Sequence, residues 1–555
     1  MKRWIVIFSF LVGYCTISEK SEYDQEYWIL WWLFQQKSVP KIECIDIPPN
    51  KSKERIQTEQ ENCFSIHDPL FSYQWHFQNP LADLQMKDVW TKHCGKNVQI
   101  AIIDDGVDIH HEDLNENIEI SKSFDYRDND FDPTGNLEED DSIHGTMVAG
   151  LIAAKDNFLG VRGVAPRSRL RVFNSILVSQ ITNIVDSIQR DVYHVWISNN
   201  SWGPVDKTGL LHDSPQIWKD AILHGLKEGR FGLGTIFLYA AGNGAYFESN
   251  GQKLIADNSN YDGYANFHGV IAVCAVGKNG KKAEYSENGA NLWICAPSMG
   301  NDFIGLTTTD LRGDYGYNSK YISKFESDLS DRNYTKNFNG TSASTPLVSG
   351  AIALILQANP YLSWRDVKVI LAKSATKNDP QDKDWKMNAA GYWINHKYGF
   401  GMVNVSKAVE LASRWTPLGE YRKCKIENVS VEKQIPDNGN AIMEEISTTV
   451  FNIQKIEWVD IKVKITHNYW GDLLIQAYSP SGTEAVLMEP HNCSDGKNPI
   501  KRISCDRGEK EWSFGIARFL EESANGKFRI SIQDKIPEDT GTFHSWGITI
   551  IGRKE

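Results

Sequence analysis

Four separate stretches of the chain carry the side chains that nucleophilic catalysis needs. Ser342 lies among small residues at 339–346, directly before the apolar residues 347–356, which predict a helix. A serine at a helix start is commonly only a cap. Three upstream residues favour another interpretation: Asp104 ends the apolar run 98–103, His144 precedes a glycine, and Asn243 lies between two glycines. Together they predict a serine nucleophile with three supporting groups.

Each of the four residues has a distinct chemical role in this interpretation. Ser342 becomes nucleophilic when a base takes its proton, and His144 can do so near neutral pH. Asp104 would hold the imidazole tautomer and stabilise the imidazolium. The side-chain amide of Asn243 and the backbone N–H of Ser342 would donate to a developing oxyanion. Taken alone, His144 would be read as a core histidine and Asn243 as a turn residue. The order Asp, His, Asn, Ser makes catalysis the better interpretation.

The elements that must position these residues alternate between strands and helices from about residue 67 to 416. Near-continuous apolar runs predict buried parallel strands at 98–103, 170–173, 192–198, 235–240 and 270–276. Helices are predicted at 145–154, 181–189, 216–227 and 345–358. The alternation predicts an α/β fold with a doubly wound, mostly parallel sheet, and it places the site at the carboxyl ends of the strands. We call residues 67–416 the α/β domain.

The pattern changes after residue 416. Short alternating segments at 456–465, 472–477, 528–533 and 546–551 predict strands, and turn-forming residues separate them. Residues 417–555 are therefore predicted to form an all-β domain, a jelly roll or sandwich, which we call the β domain.

Composition describes a globular protein of two or three domains. The 555 residues are 41% hydrophobic and 23% charged, with a formal net charge of -12. This charge disfavours nucleic acid and anionic membranes as partners and favours cationic ones. We expect a monomer.

The N-terminus predicts entry into the secretory pathway. Lys2 and Arg3 precede the apolar residues 4–12, which is typical of a signal peptide, here residues 1–17. A second apolar patch at 27–34 is too short to span a bilayer. We expect no transmembrane anchor and a location in the secretory lumen, Golgi or post-Golgi, or outside the cell.

Eight cysteines follow the predicted signal peptide. In an oxidising compartment they could form up to four disulfides. The pair Cys493–Cys505 is favoured because the two residues flank one short polar loop, and the other pairings stay open. The eight are Cys44, Cys63, Cys94, Cys274, Cys295, Cys424, Cys493 and Cys505.

Several motifs around these residues resemble the kexin/furin proprotein convertases of the subtilisin-like serine proteases. They lie at 104–106, 144–146, 201–204, 242–244, 262–264 and 340–344, and the resemblance continues through 467–473 and 478–483. It covers about residues 67 to 552. It implies a subtilisin-like catalytic domain followed by the family's P domain. It also implies that residues 18–66 are a pro-segment, which here is short, divergent and without a Lys-Arg or Arg-Arg pair.

The resemblance also implies a substrate class. The family cleaves precursor proteins after Lys-Arg or Arg-Arg by lining its cleft with carboxylates, which bind guanidinium groups well. Residue by residue, the resemblance assigns Asp206 and Asp262 to the P1 side chain, Asp105 and Asp141 to P2, and Asp186 and Asp213 to P4.

Calcium is the metal that the resemblance implies. One set of ligands would be Asp206, Asp257 and Glu287, beneath the P1 pocket. A second, structural set would be Asp68, Asp113 and Asn157. Carboxylate and amide oxygens without thiols suit Ca²⁺.

Two alternatives remain open from the sequence. The chain could be a degradative secreted protease of broad specificity, which the acidic positions and the β domain disfavour. It could also be a non-enzymatic relative, which the complete set of four catalytic residues disfavours.

Overall fold

The computed structural model describes residues 42–52, 62–63, 65–86, 88–134, 144–178, 180–320, 328–497 and 501–554. A seven-stranded sheet forms the centre of the α/β domain, and its neighbouring strands pair in parallel. The predicted doubly wound sheet is thereby confirmed. Its strands, in spatial order, are Leu292–Pro297, Val270–Val276, Ile236–Ala240, Ile197–Asn200, Gln99–Asp104, Arg169–Asn174 and Phe124–Asp125.

Helices cover this sheet and bury its apolar side chains in one continuous core. The first helix packs against the fourth, and the second packs against the third. In chain order the helices are His144–Ala153, Ile181–Gln189, Gln216–Gly232, Thr341–Ala358, Trp364–Ser374 and Val405–Ser413.

Three strands of the central sheet differ from the sequence prediction, and one of them, the two-residue edge strand Phe124–Asp125, was not predicted. The strand predicted at 192–198 begins only at Ile197, because the chain turns before it and Asp191 has a left-handed φ of 56°. The edge strand Leu292–Pro297 was not predicted either. It adds to Val270–Val276 in parallel, and the disulfide Cys274–Cys295 joins the two strands.

The helix Thr341–Ala358 is long and apolar enough to cross a bilayer, and 89% of its most apolar window is buried inside the protein. It packs against strands of the central sheet. This is the environment of a core helix, and its apolar composition follows from burial on all sides.

The β domain is a sandwich of two antiparallel sheets around its own apolar core. This confirms the all-β prediction. Its four-stranded sheet has the order Ile442–Ser447, Lys527–Asp534, Leu473–Tyr478 and Glu484–Met488. Its five-stranded sheet has the order Ile42–Ile47, Tyr421–Ile435, Gly541–Arg553, Lys455–His467 and Gly508–Ile516.

The first strand of that five-stranded sheet comes from the N-terminal part of the chain. The predicted pair Cys493–Cys505 is confirmed. The pairings Cys44–Cys424 and Cys63–Cys94 fix two further points of the N-terminal segment.

Smaller two-stranded ribbons complete the described structure. They are Leu306–Thr309 with Tyr334–Phe338, Lys386–Met387 with Trp393–Ile394, Cys493–Ser494 with Arg502–Ile503, and Tyr246–Ser249 with Gln252–Ile255.

Candidate active site

Asp104 and His144 meet at the carboxyl edge of the central sheet. Asp104 is the last residue of its strand and is fully buried, and His144 is the first residue of the following helix. The His144 Nδ1 lies 2.8 Å from Asp104 Oδ1. An ionised Asp104 therefore fixes Nδ1–H as the donor and leaves Nε2 as the basic nitrogen.

Asp105 holds the start of the same helix. Its carboxylate accepts the backbone N–H of His144 at 2.9 Å and of Gly145 at 2.7 Å, so it caps two donors that the helix itself leaves unpaired. Burial and the neighbouring charge of Asp104 raise the pKa of Asp105. The sequence suggested only substrate binding for Asp105 and gave no signal for this cap.

The two carboxylates change the basicity of His144. Burial by itself lowers the pKa of His144, but the charge and hydrogen bond of Asp104 and the charge of Asp105 outweigh it and raise the pKa to about 9. The imidazolium that forms during proton transfer is therefore stabilised.

Ser342 is the second residue of the helix Thr341–Ala358. Its Oγ donates to the carbonyl oxygen of Ser201 at 3.0 Å, and Ser201 Oγ donates back to the Ser342 carbonyl at 3.1 Å. Gly340, with a φ of 82°, makes the turn into the helix. Because Ser342 lies in the first turn, its backbone N–H has no acceptor within the helix and lies at the positive end of the helix dipole.

Asn243 is held beside this helix start. Its Oδ1 accepts from the Thr341 backbone N–H at 2.7 Å and from Thr341 Oγ1 at 2.9 Å. The acceptor half of the amide is thereby occupied, and the Nδ2 half remains the donor. The Asn243 backbone N–H donates to Asp206 Oδ1 at 2.9 Å. The residue that would stabilise the oxyanion is therefore hydrogen-bonded to the loop that carries Asp206.

A cavity of about 230 Å³ opens next to Ser342. Its lining includes Asp206 and Asp262, and neither Lys nor Arg is among its lining residues in the described part of the chain. Burial raises the pKa of Asp206, and burial raises that of Asp262 to about 7. Asp262 is buried and Asp206 is half-buried, and carboxylates in such a lining favour a cationic ligand, since a neutral ligand would leave their charge less compensated.

Two further acids, Asp257 and Glu287, line the same cavity and form a cluster with Asp206. Ligand oxygens of Asp206, Asp257 and Glu287 all lie within 4.8 Å of one another. Burial and mutual repulsion raise the pKa of Glu287, and burial with the charge of Asp206 raises that of Asp257 to about 7. A Cβ at Gly242 would lie 2.1 Å from Glu287 Oε1, and one at Gly244 would lie 1.8 Å from Asp257 Oδ2. The glycines on either side of Asn243 thus let the backbone pass against this cluster.

The other predicted ligand set is also assembled. Asp68 Oδ1 and Asp113 Oδ1 are buried and accept no hydrogen bond. Burial and the negative charge of Asp68 raise the pKa of Asp113 to about 8. A hydrogen bond from Asn157 acts in the opposite direction and lowers this pKa. Arg162 donates to the other oxygen of Asp68 at 3.1 Å, an ion pair that the sequence did not reveal.

Two predicted subsite acids lie apart from the cavity. Asp186 is exposed, accepts from Tyr126 at 2.7 Å and pairs with Arg190 at 2.5 Å. Asp213 is exposed and pairs with Lys219 at 2.7 Å. Neither lines the cavity beside Ser342. Asp141 lies outside the described residues. The P2 and P4 roles stay predictions.

A parallel α/β sheet with aspartate, histidine and serine at its carboxyl edge defines a serine endopeptidase of the subtilisin type. Residues 95–401 match the subtilase family, and residues 456–550 match the proprotein convertase P-domain. The chain therefore belongs to the subtilase family, in its branch with a P domain.

Curated relatives agree with this placement. The dibasic-processing endoprotease of Schizosaccharomyces pombe is 32% identical over 521 residues, covering 90% of this chain and 68% of that protein. Proprotein convertase subtilisin/kexin type 7 of Homo sapiens is 30% identical, covering 90% and 62%. Furin of Rattus norvegicus is 30% identical, covering 93% and 61%. The chain thus spans about two thirds or less of the length of these relatives.

A solved structure shares both domains. The serine protease of Aeromonas sobria, in complex with its chaperone, has a TM-score of 0.76 and 26% identity, covering 92% of this chain and 99% of that one.

Proposed function

We propose that this chain is a Ca²⁺-dependent serine endopeptidase that processes precursor proteins by cleaving after Lys-Arg or Arg-Arg in the secretory pathway. The observation that carries the proposal is the anionic cavity beside Ser342, with Asp206 and Asp262 in its lining. A guanidinium or ammonium group placed there would neutralise carboxylates in a lining that, among the described residues, holds neither Lys nor Arg. The curated relatives include one enzyme named for dibasic processing.

Peptide cleavage would follow from the positions of four residues. His144 would take the proton of Ser342 as its Oγ attacks the scissile carbonyl, and Asp104 would stabilise the resulting imidazolium across the 2.8 Å contact. Before attack, the Ser342 hydroxyl must leave the Ser201 carbonyl and turn toward His144. Asn243 Nδ2 and the Ser342 N–H would stabilise the tetrahedral oxyanion. His144 would then return the proton to the leaving amine as the peptide C–N bond breaks, which leaves an acyl group on Ser342. A water molecule deprotonated by His144 would cleave that ester, and His144 would return the proton to Ser342 Oγ.

The carboxylate clusters fit Ca²⁺ as the implied metal. Asp206, Asp257 and Glu287 form one oxygen-rich site. At the second site, one buried carboxylate oxygen each of Asp68 and Asp113 accepts no hydrogen bond and could bind a cation. Bound Ca²⁺ would supply positive charge that holds the acids together. Asp206, Asp257 and Glu287 all line the cavity beside Ser342, so metal binding would fix part of the wall of the substrate cavity.

The proposed organisation has residues 1–17 as signal peptide, 67–416 as catalytic domain and 417–555 as P domain. A pro-segment role for 18–66 stays a prediction. The proposed location is the secretory lumen or the extracellular space, and the proposed active form is a monomer.

A reporter assay with metal control tests the proposal. The secreted recombinant chain is given a fluorogenic Lys-Arg peptide in Ca²⁺, in chelator, and in chelator followed by Ca²⁺ or Zn²⁺. We expect cleavage that chelator abolishes and only Ca²⁺ restores, with Ser342→Ala inactive in all conditions. Cleavage that is indifferent to chelator, or is retained by Ser342→Ala, contradicts the proposal.

A further inference from the structure

The loop that carries Asp206 is held from two sides. On the side of the α/β domain, Asp257 accepts the backbone N–H groups of Lys207 and Gly209. On the other side lies a segment of the β domain, residues 489–496, which the Cys493–Cys505 disulfide closes. We call this segment the β-domain brace.

The brace bonds to three successive peptide groups just after Asp206. Ser494 Oγ donates to the Lys207 carbonyl at 2.5 Å, and the Ser494 backbone N–H donates to the Thr208 carbonyl at 3.0 Å. His491 Nε2 lies 2.9 Å from the Gly209 carbonyl. Ser494 and His491 are both buried. The peptide backbone that follows Asp206 is therefore fixed by the other domain.

Contacts beside the brace extend this hold. The Asn492 backbone N–H donates to the Ile255 carbonyl at 2.8 Å, two residues before Asp257. Asp506, next to Cys505, accepts the Leu211 N–H at 2.8 Å. The β domain thus binds the chain next to two of the three clustered carboxylates.

Two glycines bring the backbones into direct contact. A Cβ at Gly209 would lie 2.5 Å from the Asn492 carbonyl oxygen, and one at Gly496 would lie 2.8 Å from Val205 Cγ1. Both glycines have left-handed φ values, 67° and 70°. The close fit leaves the Asp206 loop little freedom to shift toward the β domain.

We propose that the β-domain brace sets the position of Asp206. Through these contacts Ser494 and His491 would set how tightly the cavity binds a basic P1 side chain and how tightly the Asp206 cluster binds a divalent cation. Ser494 and His491 are positioning residues that act through the backbone of 207–209. The inference rests on the proposed function for its substrate, whereas its metal-binding part can be measured without catalysis.

The test compares Ser494→Ala with Ser447→Ala. Ser447 is an exposed serine of the same domain whose hydroxyl faces Thr449. In the Ser342→Ala background, calorimetric titration with CaCl₂ should show an affinity about fivefold weaker for Ser494→Ala and unchanged for Ser447→Ala, because one hydrogen bond is lost. In the active enzyme, Ser494→Ala should raise KM for a Lys-Arg reporter about fivefold and change kcat less than twofold. Thermal melting in CaCl₂ verifies that each variant is folded.

The outcomes separate this inference from the proposed function. If the unsubstituted enzyme does not cleave the reporter, the proposed function fails, and the calcium titration still decides the metal part. Equal Ca²⁺ affinities for Ser494→Ala and Ser447→Ala would overturn the inference that the brace positions Asp206. A Ser494→Ala variant with a lower kcat and an unchanged KM would overturn it as well.

A second inference comes from residues 42–52. The strand Ile42–Ile47 pairs antiparallel with Tyr421–Ile435, with Cys44 opposite Cys424 and a disulfide between them. Asp46 pairs with Arg422 at 2.6 Å. The N-terminal residues are thus built into the β domain by backbone, covalent and ionic contacts.

The same segment also reaches the α/β domain. Asn50 Nδ2 donates to the Gly232 carbonyl at 2.9 Å, at the end of the helix Gln216–Gly232. We infer that residues 42–52 remain in the mature enzyme as a strand of the β domain, which would restrict any removed part of the predicted pro-segment 18–66 to residues before 42. This does not depend on the substrate.

Peptide mapping of secreted enzyme tests retention. The protein is labelled with a fluorophosphonate probe, which reacts with an activated serine, and is digested without reduction. We expect a Cys44–Cys424 linked peptide in equal amount to the labelled Ser342 peptide, and its release by dithiothreitol. A labelled enzyme in which Cys424 is a free thiol and residues 42–52 are missing overturns the inference. If Ser342 is not labelled, the proposed catalysis fails, while mapping of the folded protein still decides retention.

Discussion

The contribution of Asn243 to catalysis can be separated from its contribution to structure. Asn243→Ala removes the Nδ2 donor and also the Oδ1 acceptor that holds Thr341 at 2.7 and 2.9 Å. Loss of one oxyanion donor costs about 3–4 kcal/mol of transition-state stabilisation, or about 10²- to 10³-fold in kcat. Thr341→Ala removes only the hydroxyl contact with Oδ1, about 1 kcal/mol, or about fivefold.

Initial rates with a Lys-Arg reporter give kcat and KM for each variant. We expect kcat of Asn243→Ala to fall by the larger factor while KM stays within about threefold, since the donor acts only in the transition state. Asn243→Asp keeps an acceptor for Thr341 and lacks the donor, so it should lose at least as much. The reasoning is refuted if Asn243→Ala keeps more than about a tenth of kcat, or if Thr341→Ala loses as much.

Three further predictions concern pH, specificity and stability. Catalysis needs neutral His144, and the nearby carboxylates raise its pKa, so kcat/KM should rise with pH with a midpoint above about 6.5. Asp105→Asn removes one of these carboxylates and should lower that midpoint. A pH–rate profile with an unchanged midpoint would contradict this prediction. Asp262→Asn should lower kcat/KM for Arg at P1 about 10- to 100-fold in a reporter assay, and an unchanged value would remove Asp262 from the subsite. Glu457 in the β domain accepts two hydrogen bonds, at 2.6 and 2.7 Å, from the buried Arg365 of the α/β domain. Glu457→Ala should therefore lower the free energy of unfolding by about 3–5 kcal/mol, measured by chemical denaturation. A decrease below about 1 kcal/mol would contradict a buried, paired charge.

Local patterns in the sequence predicted most of the central sheet and the elements that carry Asp104 and Ser342. Apolar runs identified the strand that ends at Asp104, and the small residues around Ser342 marked the helix start. The strand expected at 192–198 was placed too early, since Val192 and Val195 are buried in a turn rather than in the sheet.

Long-range pairing could not be predicted. The segment Ile42–Ile47 shows no clear periodicity, and nothing local indicates that its partner is the strand beginning at Tyr421. The capping role of Asp105 and the ion pair of Arg162 with Asp68 likewise depend on where distant backbone arrives. The P2 and P4 assignments of Asp105, Asp186 and Asp213 came only from resemblance and stay predictions.

The central claim is that the acidic cavity beside Ser342 selects a basic P1 side chain. The most direct measurement is the cleavage profile of the secreted enzyme on a peptide library randomised at P1 and P2, in Ca²⁺. We predict cleavage almost entirely after Arg or Lys with a basic residue at P2, and a loss of P1 selectivity in Asp206→Asn and Asp262→Asn. A profile led by apolar or small P1 residues would contradict it.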